Sequence, residues 1–345
     1  MRLFFIILFF TFFGKLFSVE IINNKDSLLF TKIDSTCIET YRTMLNTKLI
    51  LGGRFNIFSL TDSAKVPLEY STNDKTNLGI GLSYKGFGVE FQFAPKGANK
   101  EKDKFGKSQQ FSLSTSANGR RFIYDFYIRF NKGFHTTTPS KISGDTSGAV
   151  AYYYRPDIIN VNLGFEFAYL FNNKRFSSSA PYDFTQRQKK SAGSFIAGTF
   201  FSAYSINADS VIFPDSLKNR FSPAAHFVFA QNIQWGFSFG YTYTYVWNKY
   251  WFANIYLLPG LSLQKYNSTK LDSETTIPKV SIGGALQSRF SIGYNQKKYF
   301  IAFSFMGNNY TVNDVGNFTL NYKYGSVRLL CGYRFNHRKL KDLPL

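Results

Sequence analysis

Residues Trp235 to Val246 read Trp-Gly-Phe-Ser-Phe-Gly-Tyr-Thr-Tyr-Thr-Tyr-Val. Every odd position carries an aromatic ring: Trp235, Phe237, Phe239, Tyr241, Tyr243 and Tyr245. The even positions from Gly236 to Thr244 are Gly, Ser, Gly, Thr and Thr. A period of two places the two sets on opposite faces of a β-strand. Six consecutive rings on one face are too bulky for the shared core of a sandwich. They suit a face turned to lipid, with small residues turned to a crowded or wet interior. The stretch therefore points to a transmembrane β-barrel.

The same alternation recurs along the chain. Leu49, Leu51, Phe55 and Ile57 share one face of Lys48 to Phe58. Leu78, Ile80, Leu82 and Tyr84 alternate with Gly79, Gly81 and Ser83, and Phe87 to Phe93 alternates in the same way. Phe111–Ala117, Phe122–Phe130 and Val161–Tyr169 follow, then segments near 192–206, 233–247, 250–263, 280–294, 298–306 and 324–335. The reading is an all-β, antiparallel up-and-down barrel of about 12 strands. A count of 14 arises if Phe176–Phe184 is a strand and 206–231 divides as well.

The connections are of two kinds. Lys85-Gly86, Asn118-Gly119-Arg120, Trp247-Asn248-Lys249 and Asn295-Gln296-Lys297 are tight, while 59–76, 94–107, 132–158, 206–231, 264–279 and 307–323 are long and polar. Short turns at one end and long loops at the other mark outer-membrane barrels. The short turns carry cations, Lys85, Arg120, Lys249, Lys297 and Lys298, with Lys174 and Arg175 at a further candidate turn. Cations at such turns suit phospholipid phosphates. The basic loops, with Lys96, Lys100, Arg187 and Lys189 among others, suit lipopolysaccharide phosphates.

Composition and the chain start agree with export. Forty Phe and 23 Tyr bring the aromatic fraction to 19%, which fits lipid-facing bands and interfacial girdles. Met1-Arg2, an apolar run from Leu3 to Phe13 and a small residue at Ser18 read as a signal peptide over 1–18. The run is shorter than the roughly 20 residues of a spanning helix. Residues 19–42 read as a periplasmic lead-in, 43–336 as the barrel and 337–345 as a basic tail. Export turns the net charge of +20 away from nucleic acid and toward anionic lipids. Insertion is expected to use the barrel-assembly machinery.

The segments Leu78-Gly79-Ile80-Gly81-Leu82-Ser83-Tyr84-Lys85-Gly86, Tyr154-Arg155-Pro156-Asp157, Phe171-Asn172-Asn173-Lys174-Arg175-Phe176, Gln186 to Ser194 and Gly240 to Val246 resemble the family called domain of unknown function 4421. That family is found mainly in Bacteroidota. The resemblance implies an outer-membrane barrel and brings no activity or site residues.

If the aromatic face meets lipid, parity turns Arg54, Glu90, Arg121, Asp125, Arg129, Glu166, Arg289, Arg328 and Arg334 inward. An Arg or Lys facing lipid at mid-membrane would cost about 2–4 kcal/mol, so these charges belong in the lumen or at the rims. The expectation is a basic, partly occluded lumen, filled by ion pairs or open to anions in a porin-like channel. Tyr243, Tyr245, Trp247 and Trp251 form an expected aromatic girdle. An enzyme acting on lipid or lipopolysaccharide is a further alternative, but His135, placed in a Thr-rich loop, His226 before a strand and His337 form no set with a serine and an acid. No metal-ligand or cofactor spacing occurs, and none is expected. Cys37 and Cys331 lie at opposite ends of the chain, with a disulfide between them one option.

Overall fold

The computed structural model describes residues 33–61, 67–73, 76–84, 87–93, 101–137, 152–214, 221–271, 279–312 and 318–336. The signal-peptide segment, the 337–345 tail and the Lys85-Gly86 turn lie outside the described residues.

Twelve strands close into an antiparallel ring. In chain order the ring uses β2 (Met44–Thr61), β4 (Thr76–Tyr84), β5 (Phe87–Phe93), β6 (Gln109–Asn118), β7 (Phe122–Thr136) and β8 (Tyr154–Leu170). It continues through β10 (Ala192–Asn207), β11 (Phe227–Trp247), β12 (Trp251–Lys270), β13 (Lys279–Asn295), β14 (Tyr299–Val312) and β15 (Thr319–Asn336). Pairing of β15 with β2, from Asn336 opposite Met44 to Thr319 opposite Thr61, closes the barrel. The tight turns, the start of β2, the end of β15 and the longer 171–191 connection share one end, here the turn end; the other long connections share the opposite end, the loop end.

Three further strands lie off the ring. β3 (Pro67–Ser71) pairs with the outer end of β2 and reaches across to β7, Tyr70 opposite Thr136. It therefore crosses above β4, β5 and β6. β1 (Ile38–Thr40) pairs with β9 (Gln186–Gln188) as a separate two-stranded sheet.

The alternation of the opening stretch is realised in space. Trp235, Phe237, Phe239 and Tyr245 are more than half exposed, whereas Ser238, Thr242 and Thr244 are buried. Trp235 to Tyr245 spans about 33 Å at about 3.3 Å per residue. Tilted by about 40°, that rises about 25 Å, the height of a lipid-facing band. β11 has 21 residues, so its loop-end part extends past such a band. The inward glycines make room for a ring: a Cβ on Gly236 or Gly260 would come within 2.7 or 2.8 Å of Phe200, which is buried in the lumen.

Several sequence expectations change. The count of 14 does not occur. Residues 171–191 run from β8 to β10 as turns, a short helical segment (Ser179–Tyr182) and β9. Continuous burial from Phe176 to Gln188 shows that this connection is tucked inside the wall, whereas a thirteenth ring strand would alternate. The lead-in expected to end at Arg42 contributes β1 to the same layer. His135 belongs to the end of β7, with Ser71 of β3 opposite it, so it is not in a loop. Both cysteines are free: Cys37 is buried beside Asp34, and Cys331 is exposed on β15.

The ring is not laddered everywhere. β6 pairs with β7 over all ten of its residues, and β5 pairs with β4 over all seven of its own. β5 and β6 meet only at Phe87 opposite Ala117 and Gly88 opposite Ser116. These pairs are at the turn end, so the two strands part toward the loop end.

Candidate functional site: a charged chamber inside the barrel

Side chains from opposite walls meet across the lumen. β10 and β15 stand five strands apart on the ring, yet the rings of Tyr204 and Tyr322 stack at 4.0 Å. Tyr322 Oη also accepts from Gln234 Nε2 at 2.6 Å and lies 3.2 Å from Ser202 Oγ. Tyr127 on β7 and Tyr324 on β15 share a short hydroxyl hydrogen bond, with Tyr310 Oη 3.2 Å from that of Tyr324. Nearer the loop end, Phe58, Leu60, Phe134, Ile158, Phe227 and Leu320 form one apolar core with these tyrosines. The β10–β11 connection caps it. Its Ile212 and Phe213 are buried in that core, Ile212 O accepts from Tyr70 Oη, and Arg155 donates to Ser210 O and Val211 O.

At the turn end the 171–191 connection lies inside the wall. Ser179 Oγ donates to Asn118 O at 2.8 Å, and Tyr182 Oη to Asn254 Oδ1 at 2.5 Å. Asn295 Nδ2 donates to the carbonyls of Ala180 and Gln186. Arg334, 1% exposed, donates to Phe184 O from Nε and Nη2, to Asn295 Oδ1 from Nη2 and to Gln296 O from Nη1. Phe184 stacks on Phe300 at 4.3 Å with φ of +61°, a left-handed conformation that a bulky residue holds only when its surroundings fix it. Beneath this layer, Asp183 Oδ2 accepts from Asn118 Nδ2, and burial pushes its carboxyl up to about 6 despite Lys48 nearby.

Between these two layers lies a cavity of about 140 Å³. Arg54, Glu90, Asp125, Arg129, Glu166, Arg289 and Arg328 all line it; Arg121, at the β6–β7 turn, does not, and Arg334 serves the turn-end closure. Lys48 and Asp183 also line it and were not singled out in the sequence. Lys48 shares the parity of Arg54, which would have found it. Asp183 sits on a segment without alternation, so no signal marked it. The lining thus sets five cations against four carboxylates. The arginine-rich face is matched nearly one for one.

Two ion-pair groups use most of these charges. Glu90 accepts from Lys48 Nζ at 3.1 Å and Arg328 Nη1 at 3.0 Å. Arg289 Nη2 lies 2.5 Å from Asp125 Oδ2 and 3.4 Å from Glu166 Oε2, and Tyr256 Oη donates to Glu166. A mutual pair offsets much of the cost of burying each charge. Arg54 and Arg129 make no salt bridge among the described residues. Arg129 lies over the rings of Tyr324 and Tyr127 at 3.8 and 4.5 Å, and its Nη1 is buried without a hydrogen-bond partner.

The expected girdle residues stand at the turn end. Tyr245 stacks on Trp247 at 5.8 Å and Trp247 on Trp251 at 6.2 Å; Tyr243 is exposed on the same face. The row continues through Tyr294 to Tyr299. The two described histidines do not converge: His135 packs against Phe105 and His226 against Phe213, and His337 lies outside the described residues. No group of three metal-ligating side chains occurs among the described residues.

A family model described as "Domain of unknown function (DUF4421)" matches residues 32–335. No curated protein matches the chain. Among solved structures, the outer membrane protease OmpT from Escherichia coli aligns at TM-score 0.34 and 9% identity, covering 86% of this chain and 98% of that one. The P. putida toluene transporter TodX aligns at 0.28 and 9%, over 85% and 90%. Neisserial surface protein A aligns at 0.23 and 8%, over 83% and 97%. The barrel assignment rests on the chain's own closed ladder and outward aromatic face.

Proposed function

The chain belongs to the DUF4421 family, whose description carries no activity, and we propose that it is an outer-membrane barrel with a closed axis, built to hold a ligand or partner and not to conduct solute. One observation carries this reading: Tyr204 and Tyr322, from opposite walls, stack at 4.0 Å across the loop-end half of the lumen. The charged chamber is then an internal compartment, and its paired charges fix the wall from within. In this reading an N-terminal signal peptide directs export, and the turn-end aromatic row anchors the barrel at the periplasmic interface. The cations at the turns meet phospholipid phosphates.

The axial channel is the rival. The purified full-length protein, reconstituted in planar bilayers, is expected to give no ohmic steps. Reproducible steps of porin size would refute the closed axis. Extraction only with detergent and heat-modifiable gel migration are expected of the barrel itself, and recovery in a detergent-free soluble fraction would overturn it.

A further inference from the structure

The parting of β5 and β6 creates an opening in the wall itself. Continuing their register would set Val89 opposite Thr115 and Phe91 opposite Leu113, but neither pair forms. The opening is framed on all sides. Below, the Phe87–Ala117 and Gly88–Ser116 pairs hold the strands together. Above, β3 bridges β2 to β7, and Ser108 ties the approach to β6 by accepting from Asn73 N and donating to Gly133 O. The outward residues on its flanks, Val89, Phe91, Phe111 and Leu113, are apolar and about half exposed or more. The opening therefore lies at the level of the lipid-facing band. Two unpaired strand edges facing hydrocarbon are not tolerated unless something polar or protein-like satisfies them.

The chamber reaches this opening. Its lining includes Gln92 of β5 and Gln110, Ser112 and Ser114 of β6, whose parity is opposite to that of the outward Phe91 and Leu113, and it takes in Phe111 as well. Arg129 lies opposite Ser112 in the β6–β7 ladder, one strand from the opening. The two lining cations without a carboxylate, Arg54 and Arg129, share this chamber, and Gln110 Nε2 and Arg129 Nη1 are buried without hydrogen-bond partners. Two unpaired guanidiniums and a spare amide present donors suited to an anion with several oxygens.

We propose that the β5–β6 opening is a lateral port through which a membrane lipid with a phosphomonoester headgroup places that headgroup against Arg54 and Arg129, its acyl chains remaining in the bilayer. The chamber has room for several waters, or for a headgroup of that size, but not for a whole lipid. This deepens the closed-axis reading, because it gives the sealed chamber an entrance that the axis lacks.

The test uses the full chain in phosphatidylcholine vesicles containing a little phosphatidic acid with a diazirine near its headgroup. Crosslinks are mapped by mass spectrometry. Crosslinks to the inward Gln92, Ser112 and Ser114 are expected, to fall at least about fivefold in the Arg54→Gln/Arg129→Gln variant. They should be displaced by unlabelled phosphatidic acid and not by phosphatidylcholine or inorganic phosphate. A second variant carries Phe91→Cys and Leu113→Cys with Cys37→Ser and Cys331→Ser; bridging the two thiols across the opening with a short bis-methanethiosulfonate should abolish the inward crosslinks and reduction should restore them. Crosslinks confined to interfacial residues such as Tyr245 and Trp247, or inward crosslinks unaffected by the bridge, would overturn the port. So would equal labelling by a phosphatidylcholine probe, or occupation of the β5 edge by a strand of another polypeptide. Absence of crosslinks even at the girdle residues Tyr245 and Trp247 would instead overturn the barrel reading.

Discussion

In the closed-axis reading, the two ends of the lumen are closed by different means. At the loop end the closure is a continuous aromatic and aliphatic core, contributed by β2, β7, β8 and β10 to β15 together with β3 and the β10–β11 connection. At the turn end it is one connection, docked by a few hydrogen bonds to its backbone and one ring, Phe184, in a pocket between Phe300 and Phe252. The first closure is inseparable from the barrel, since removing it removes the wall's own side chains. The second is a discrete segment whose attachment rests on identifiable groups. Single substitutions should therefore undock the turn-end closure, while the same treatment at the loop end should weaken the barrel without opening it.

The largest effect is expected at Phe184. Phe184→Ala removes a fully buried ring and should cost about 4 kcal/mol. Hydrogen exchange of residues 176–188 should rise steeply while the ring strands keep their protection. Uniform loss of protection in both would break the distinction between segment and wall. Arg334→Met comes next. It leaves Phe184 O, Gln296 O and Asn295 Oδ1 short of a donor, each at about 1–3 kcal/mol, partly offset because a buried cation no longer has to be desolvated. A net loss of about 3 to 4 kcal/mol should appear in the same exchange measurement, confined to the same residues.

The sequence made the wall legible and the closures not. Strands in lipid must alternate, so segments such as Trp235–Val246 and Val161–Tyr169 declare themselves locally. Residues 176–188, Phe-Ser-Ser-Ser-Ala-Pro-Tyr-Asp-Phe-Thr-Gln-Arg-Gln, have no period, because they are buried on all sides by parts of the chain remote in sequence. β3 was hidden in the same way: Pro67–Ser71 lies within a stretch that reads as loop, and its partners on β7 are more than sixty residues away. The port was invisible for another reason. Phe87–Phe93 and Phe111–Ala117 each alternate as normal strands, and their failure to pair is a property of neither alone. Parity did turn Arg54, Asp125 and Arg289 to one side, but it could not say that Asp125 and Arg289 meet across the lumen while Arg54 stays unpaired.

Asp183 makes the turn-end closure sensitive to pH. Burial raises its carboxyl from 3.8 to about 6, so docking carries a penalty above about pH 6 that is relieved as pH falls through 6 toward 4. The docked segment should gain up to about 3 kcal/mol over that interval. Lys48 favours the charged form, while Glu90 and Asp125 oppose it, and all three face the same space. The opening free energy of 176–188, with exchange rates corrected for their intrinsic pH dependence, should rise on acidification from pH 7 to 4. Asp183→Asn should flatten that rise. An unchanged slope in the variant would assign it to the other carboxylates.

Tyr322→Phe should have the smallest effect and is the sharpest control on the loop-end closure. The hydroxyl accepts from Gln234 and lies beside Ser202, and its loss leaves that amide short of one acceptor, at about 1 kcal/mol. The ring remains stacked on Tyr204, so the lumen stays bridged. A lower guanidinium midpoint for the whole barrel, with exchange at 176–188 unchanged and no conductance, is the expected result. Conductance in Tyr322→Phe would mean that the aromatic core is held by its hydroxyl network and not by packing, and the loop-end closure would then be as separable as the turn-end one.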